Sequence, residues 1–388
     1  INGFNFSGNG DRIGTVITDT YEANPFKNLG MDNPNGSQRY YIGHVNWTGF
    51  NGLMEYTGSD KFSAVLQFGT SSQDYQWEGF YTAAPDTKSR VVTVNGGYIK
   101  GGANYRANDN SNFFFNVGQI MRPPSFDGVF PNADYDFEEA DEILNESFTS
   151  FELGYGFRSS NFKGTINAYH TVWGDRTLRR STSIDDQGVR IIYSGVEQTH
   201  QGIEGEMTWY PSSRLRVKGM FSLGDWKYTK NFQGDAYFID NNQPAGTTGT
   251  LYLDGVKIGD AAQTVLYLGF DYKLSSKLSV DLDMMSYDNL HGRFGPLDSE
   301  FNSDNNRGSI KLPSWGTADL GATYSFNLLG YDARARLNVN NLFDEEYLSQ
   351  SQTNFHNDGG RTWNGVNVEN NVYFGKGTTW NLGLNINF

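Results

Sequence analysis

Residues 378–388 read TTWNLGLNINF, and their alternation decides the fold class. From Trp380 the apolar side chains are Trp380, Leu382, Leu384, Ile386 and Phe388, separated by Asn381, Gly383, Asn385 and Asn387. A period of two means a β-strand with one greasy face and one polar face. What each face meets follows from the rest of the chain.

The same rhythm recurs upstream. In DARARLNVNN (332–341), Ala333, Ala335, Leu337 and Val339 alternate with Arg334, Arg336, Asn338 and Asn340. KLSVDLDM (277–284) sets Leu278, Val280, Leu282 and Met284 against Asp281 and Asp283. RLRVKGMFSL (214–223) opposes Leu215 and Val217 to Arg214 and Arg216, and GIEGEMTW (202–209) opposes Ile203 and Met207 to Glu204 and Glu206. The pattern predicts roughly 13 strands of about ten residues or a little more, the length that crosses a bilayer when tilted.

Connection lengths add a second signal. Short turns at YTGSDK, RANDNSN, RSSN, YPSSR, LSSK and NLLGYD take turns with long polar stretches near 72–90, 122–146, 174–198, 227–261, 289–313 and 342–377. Two architectures give alternating strands, a soluble β-sandwich and a membrane barrel. A sandwich has no reason to segregate loop lengths by end, and loops beyond about 15 residues are uncommon in compact domains. The expectation is therefore an all-β transmembrane antiparallel β-barrel with short periplasmic turns and long extracellular loops.

Composition agrees. Among 388 residues there are 46 Gly against 10 Pro, and aromatics reach 15%. No apolar run approaches the roughly 18 residues of a membrane-spanning helix. With no cysteine, disulfides, thiolate metal sites and thiol catalysis are excluded. A formal charge of −14 argues against a nucleic-acid partner.

In a barrel the apolar phase meets lipid. A charge turned to lipid at the midplane costs about 2–4 kcal/mol, so Arg214, Arg216, Asp281, Asp283, Arg334 and Arg336 must point into the lumen. The last strand follows a long outer loop, which places the C-terminus on the periplasmic side. Residues 1–44 read as an extracellular loop region and 45–388 as barrel. An odd strand count, where bacterial single-chain barrels use even numbers, suggests the C-terminal part of a larger barrel.

Specific strings then resemble a known family. GYIKGGANYRANDNSNFFFNVGQIMRPPSFD (97–127) is similar to the mid-barrel segment of TonB-dependent outer-membrane receptors, particularly of the Bacteroidetes type. LNESFTSFELGY (144–155) resembles the family's Leu-Lys-Pro-Glu stretch and its following strand, with Asn145 where Lys-Pro would stand. SGVEQTHQGIEGEM (194–207), LPSWGTADLGATY (312–324, with Trp315 for Tyr) and LNVNNLFDEEYLSQ (337–350) resemble further family boxes in the family's order. The resemblance implies a 22-stranded barrel filled by an N-terminal plug that is not present in this sequence. It also implies import of a scarce substrate, by default a ferric siderophore, driven by the TonB complex acting on the plug. Haem, cobalamin, oligosaccharide or peptide cargo stays open, as does a passive porin or a structural or secretion-linked barrel. Implied partners are outer-membrane lipid and lipopolysaccharide, the plug itself and, as one option, a surface lipoprotein.

Candidate residues follow from these readings. The lumen or plug-facing set is Arg122, Glu146, Glu152, Glu204, Glu206, Arg214, Arg216, Asp281, Asp283, Arg334 and Arg336, with Arg122 able to pair with a carboxylate such as Glu146, Glu152 or Glu204, or to contact the plug. Trp77, Phe80, Tyr81, Tyr237, Phe238, Trp363 and Tyr373 are loop aromatics able to supply contact area to a substrate at low entropy cost, or to pack the loops on each other. Asp134, Asp136 and Glu138 are weak calcium candidates, as are Asp298, Glu300 and Asp304, since neither group has EF-hand spacing. His44, His170, His200, His291 and His356 lack metal-ligand spacing. No HExxH, GxSxG, Walker A or dinucleotide fingerprint is present, so no enzyme and no cofactor is expected.

Overall fold

The computed structural model describes residues 41–79, 88–130, 139–140, 142–184, 187–238, 243–295 and 298–387. Phe80, Tyr81, Asp134, Asp136, Glu138, Phe388 and all but the last few residues of the expected 1–44 loop lie outside them. The long strands are β1 (Tyr41–Tyr56), β2 (Phe62–Gly79), β3 (Val92–Asn108), β4 (Ser111–Arg122), β5 (Glu146–Arg158), β6 (Phe162–Ile184), β7 (Gln187–Trp209) and β8 (Leu215–Tyr228). After the short β9 (Phe232–Phe238) and β10 (Pro244–Leu251) come β11 (Thr264–Lys273), β12 (Leu278–Asp288), β13 (Trp315–Leu328) and β14 (Tyr331–Asn340). Short β15 (Leu348–Ser351), β16 (Thr362–Trp363), β17 (Val366–Asn367) and β18 (Val372–Phe374) precede the closing β19 (Thr379–Asn387). Helical structure among the described residues is limited to α1 (Phe126–Val129) and a 3-10 turn at Ser299–Asn302.

One antiparallel sheet runs β1-β2-β3-β4-β5-β6-β7-β8-β11-β12-β13-β14-β19, with β9 pairing to β7 and β10 to β9. That path contains the roughly 13 strands expected from the alternation. Neighbours in sequence are neighbours in the sheet except where the β9–β10 hairpin or the 341–378 loop intervenes.

Register converts each strand's alternation into two continuous faces. On one, Glu204 lies opposite Ser222, Asp271 opposite Arg216 and Asp281, Asp283 opposite Asp319, and Asn338 opposite Asn381. On the other, Ile203 meets Leu223, Leu282 meets Leu320, and Leu337 meets Leu382. These aliphatics are not buried by protein: Leu223 is 49% and Leu382 67% exposed. In water such a face would be an aggregation surface, whereas in hydrocarbon it is solvated. Leu282, Leu337 and Leu384 do not sit between stacked sheets.

The protein also buries apolar cores of its own. The chain divides into two compact units. In the unit containing Gly69–Gly97 and Met121–Glu146, Tyr75, Trp77, Val92, Val129 and Phe130 form a buried cluster. In the unit containing Ser147–Phe388, Val189, Ile191, Tyr193, Leu251, Leu253 and Phe301 form a second. Leu290, Ile310, Leu312, Leu348 and Val366 form a third in the same unit.

Three expectations shift. The first strand opens at Tyr41 rather than at 45, and β2 runs on to Gly79 instead of giving way to loop near 72. The polar stretch 174–198 is not loop: β6 and β7 continue as a paired hairpin out to Ile184 and Gln187. Beyond the lipid-facing rows this hairpin buries Val189, Ile191 and Tyr193 against β9, so its alternation is satisfied by protein rather than membrane.

Candidate functional site: a charged bore wall and a cationic cavity at the loop end

The polar face is organised as ion pairs between strands. Arg216 Nε donates to Asp271 Oδ2 at 2.8 Å, and Lys218 Nζ reaches Asp283 Oδ1 at 3.0 Å and Asp271 Oδ2 at 3.5 Å. Tyr267 donates its hydroxyl to the same Asp283 carboxylate. Arg336 holds Asp281 through both guanidinium nitrogens at 2.8 Å and also donates to Thr323 at 3.0 Å. Glu204 accepts from Ser222 at 3.0 Å, and Glu152 accepts from Asn116 at 3.0 Å. In the other unit Arg122 pairs with Glu146, the first of its three expected partners.

Most of the set expected to face the lumen is thus ion-paired or hydrogen-bonded on the polar face. Glu206 and Arg214 share the polar phase of β7 and of the approach to β8, and Arg334 shares that of β14. Tyr267 and Asp271 were not singled out from the sequence, although both stand in the polar phase of VLYLGFDYK. The alternation that marked their neighbours would have found them.

A cavity of about 520 Å³ opens where this face passes into the long loops, lined by Trp173, Arg176, Gln198, His200, Tyr228, Asp260, Arg293, Phe294 and Gln352 among others. A local irregularity in the β6–β7 ladder builds it. Pairing shifts between Trp173 and Arg176 and again between Arg176 and Leu178, and the chain turns there through positive φ at Asp175 (57°) and Gly195 (69°). Bulges of this kind re-aim side chains. The Arg176 guanidinium lies over the Trp173 ring, 3.9 Å from its centroid. His200 packs on Trp226, whose indole N–H donates to Tyr169 at 2.9 Å. Across the cavity Arg293 faces Asp260 at 3.7 Å, and Asp260 also accepts from Gln350 at 2.9 Å.

The loop aromatics are placed differently. Trp77 is 1% exposed and packs in the core of its own unit, offering no face to a ligand. Phe238 packs against the β7–β10 cluster and Tyr237 lies beside it on β9. Trp363 packs against the third cluster and meets Phe374 edge-on at 5.1 Å, while Tyr373 is exposed. None of these five lines the cavity. Arg176 was missed because 174–198 reads as polar loop; Trp173 and His200 lie just outside that stretch, His200 being named only among histidines without metal-ligand spacing.

Of the second calcium group, Asp298 caps the 3-10 turn by accepting from Glu300 N–H at 3.0 Å. Glu300 accepts from the Arg307 amide (2.6 Å), Nε (3.1 Å) and Nη2 (2.7 Å). These hydrogen bonds hold the Glu300 carboxyl down to about 2. Its oxygens are engaged by a cation already, and no cluster of metal-ligating residues occurs among the described residues.

Comparison with known proteins agrees with the fold. The sequence matches the family described as TonB dependent receptor-like, beta-barrel over residues 2–342. The chain belongs to that family of outer-membrane barrels, whose members are receptors and transporters. Sequence comparison with curated proteins finds no match. Among solved structures it is similar to the siderophore receptor PiuA from Acinetobacter baumannii, with TM-score 0.63 and 14% identity over 89% of this chain and 43% of that one. It also resembles the FrpB iron transporter from Neisseria meningitidis (0.59, 14%, 88% and 45%). The ferric-catecholate import receptor Fiu from E. coli is similar too (0.57, 15%, 90% and 45%). The chain spans less than half the length of each of these.

Proposed function

We propose that this chain is the C-terminal part of the barrel of a TonB-dependent importer that captures a small extracellular molecule, with a ferric siderophore as the leading cargo. The observation that carries the reading is the loop-end cavity, which joins aromatic rings and cationic side chains where the polar face begins. Iron chelates offer flat rings and oxygen-rich anionic groups, which suit that lining. Iron cargo named for several structural neighbours supports the same class.

In this reading the long loops face outward and Phe388 ends on the periplasmic side. A plug docks on the ion-paired wall and carries the TonB contact, and outer-leaflet lipid surrounds the apolar face. Coupled import is tested by radio-iron uptake in cells carrying the intact protein, with and without a functional TonB complex. Uptake of a ferric siderophore that stops when TonB is removed supports the proposal. Steady ion conductance by the intact protein in planar bilayers, with no coupled uptake, would instead identify a passive pore.

A further inference from the structure

Three nitrogen atoms around the loop-end cavity are buried and have no hydrogen-bond partner among the described residues: Arg176 Nε, Trp173 Nε1 and His200 Nε2. Buried polar groups are nearly always paired, so three orphans on one cavity call for a common partner. Two of them, the Arg and Trp N–H groups, can only donate, and the imidazole donates in one tautomer. Arg293 has its carboxylate in Asp260, whereas Arg176 makes no ion pair with a described residue and only stacks on Trp173. Arg176 is only partly buried, but its Nε–H is shut off from water without an acceptor and no described carboxylate faces the guanidinium, so an incoming oxyanion would supply both the acceptor and the counter-charge.

We propose that Arg176, positioned by the β6–β7 bulge and stacked on Trp173, is the anchor for a carboxylate-type oxyanion of the cargo, with the Trp173 and His200 ring nitrogens as supporting donors. Arg suits this role because its planar fork stacks on an aromatic ring and binds a planar oxyanion through two parallel N–H groups. That the anion belongs to an iron chelate rests on the import reading above; that an anion binds here does not.

The experiment uses the intact protein in detergent and follows the part of the tryptophan fluorescence that disappears in W173F. Probes are citrate, ferric citrate and ferrichrome, an uncharged hydroxamate chelate. Citrate and ferric citrate should quench the Trp173 signal saturably and less strongly at high salt, whereas ferrichrome should not. Arg176→Gln should weaken both anions at least tenfold, and Arg176→Lys should restore part of the loss by returning the charge without the fork. Unchanged heat-modifiable mobility on gels shows that each variant folds. Equal affinities in folded wild type and Arg176→Gln would overturn the anchor even if TonB-dependent iron uptake is found. Citrate binding lost in Arg176→Gln, with no iron uptake by the protein, would uphold the anchor and sink the import reading.

Discussion

Arg336 on β14 and Asp281 on β12 form a two-pronged ion pair across an intervening strand, with both N–O distances at 2.8 Å. The strand between them is β13, and the residue they reach over is Gly321. A Cβ at Gly321 would lie 2.1 Å from Asp281 Oδ2 and 2.5 Å from Arg336 Nη2. The glycine leaves the corridor through which two non-adjacent strands are tied.

Gly321→Ala is therefore expected to break the pair while keeping the ladder, as is Asp281→Asn. Arg336 remains partly exposed, so the coupling is that of a half-screened pair, about 1 kcal/mol. A double-mutant cycle on Asp281→Asn and Arg336→Gln, read by thermal unfolding in detergent, measures it. Zero coupling would show that the contact adds nothing to the wall.

The two faces predict opposite responses to one substitution. Leu384→Arg puts a charge on the apolar face and should lower stability in lipid by about 2–4 kcal/mol if Leu384 lies near the midplane. Asn385→Arg, next door and facing the bore beside Arg334, should cost well under that. Folding yield of the intact protein into liposomes reports the contrast; equal losses would contradict the assignment of faces.

The loop-end core should be separable from the membrane sheet. Phe301 is fully buried against Leu253, Val256 and their neighbours, so Phe301→Ala is expected to cost about 3–5 kcal/mol. Trypsin should then cut within 229–263 or 289–313 in the folded protein, while heat-modifiable mobility stays as in wild type. Loss of both together would mean that loops and sheet fold as one cooperative unit.

Acid should loosen the same loops through Glu300. Arg307 lowers the folded carboxyl to about 2, below its ordinary value of 4.5. A depressed acid contributes stability above its unfolded pKa and loses it as pH falls. Loop protection against pepsin should thus decline from about pH 4.5 toward pH 2, and less steeply in Glu300→Gln, which should already be weaker at pH 7. Identical pH profiles for the two proteins would remove Glu300 as the titrating group.

Much of this was legible in the chain. The phase of DARARLNVNN and KLSVDLDM placed Arg336 and Asp281 on one face, and Glu146 was one of the three carboxylates offered as partners for Arg122. The loop-end cavity was not legible. Arg176 and Trp173 sit in WGDRTLRRST, where polar residues mask a strand that leaves the lipid zone, and only Val189, Ile191 and Tyr193 hint at its partner. Trp77 looked like a loop aromatic because nothing nearby announces that β2 continues to Gly79 and carries it into a core.

By itself the sequence determined which side of each strand is apolar, and hence a sheet facing lipid on one side and a polar bore on the other. Hydrocarbon imposes that choice on every strand separately, so a local period of two suffices to record it. Only the tertiary structure decided that Asp281 meets Arg336, 55 residues away, and that Arg176 stacks on Trp173 at the cavity. Those contacts depend on register and on bulges, which place side chains from different strands side by side and leave no periodic trace within any one of them.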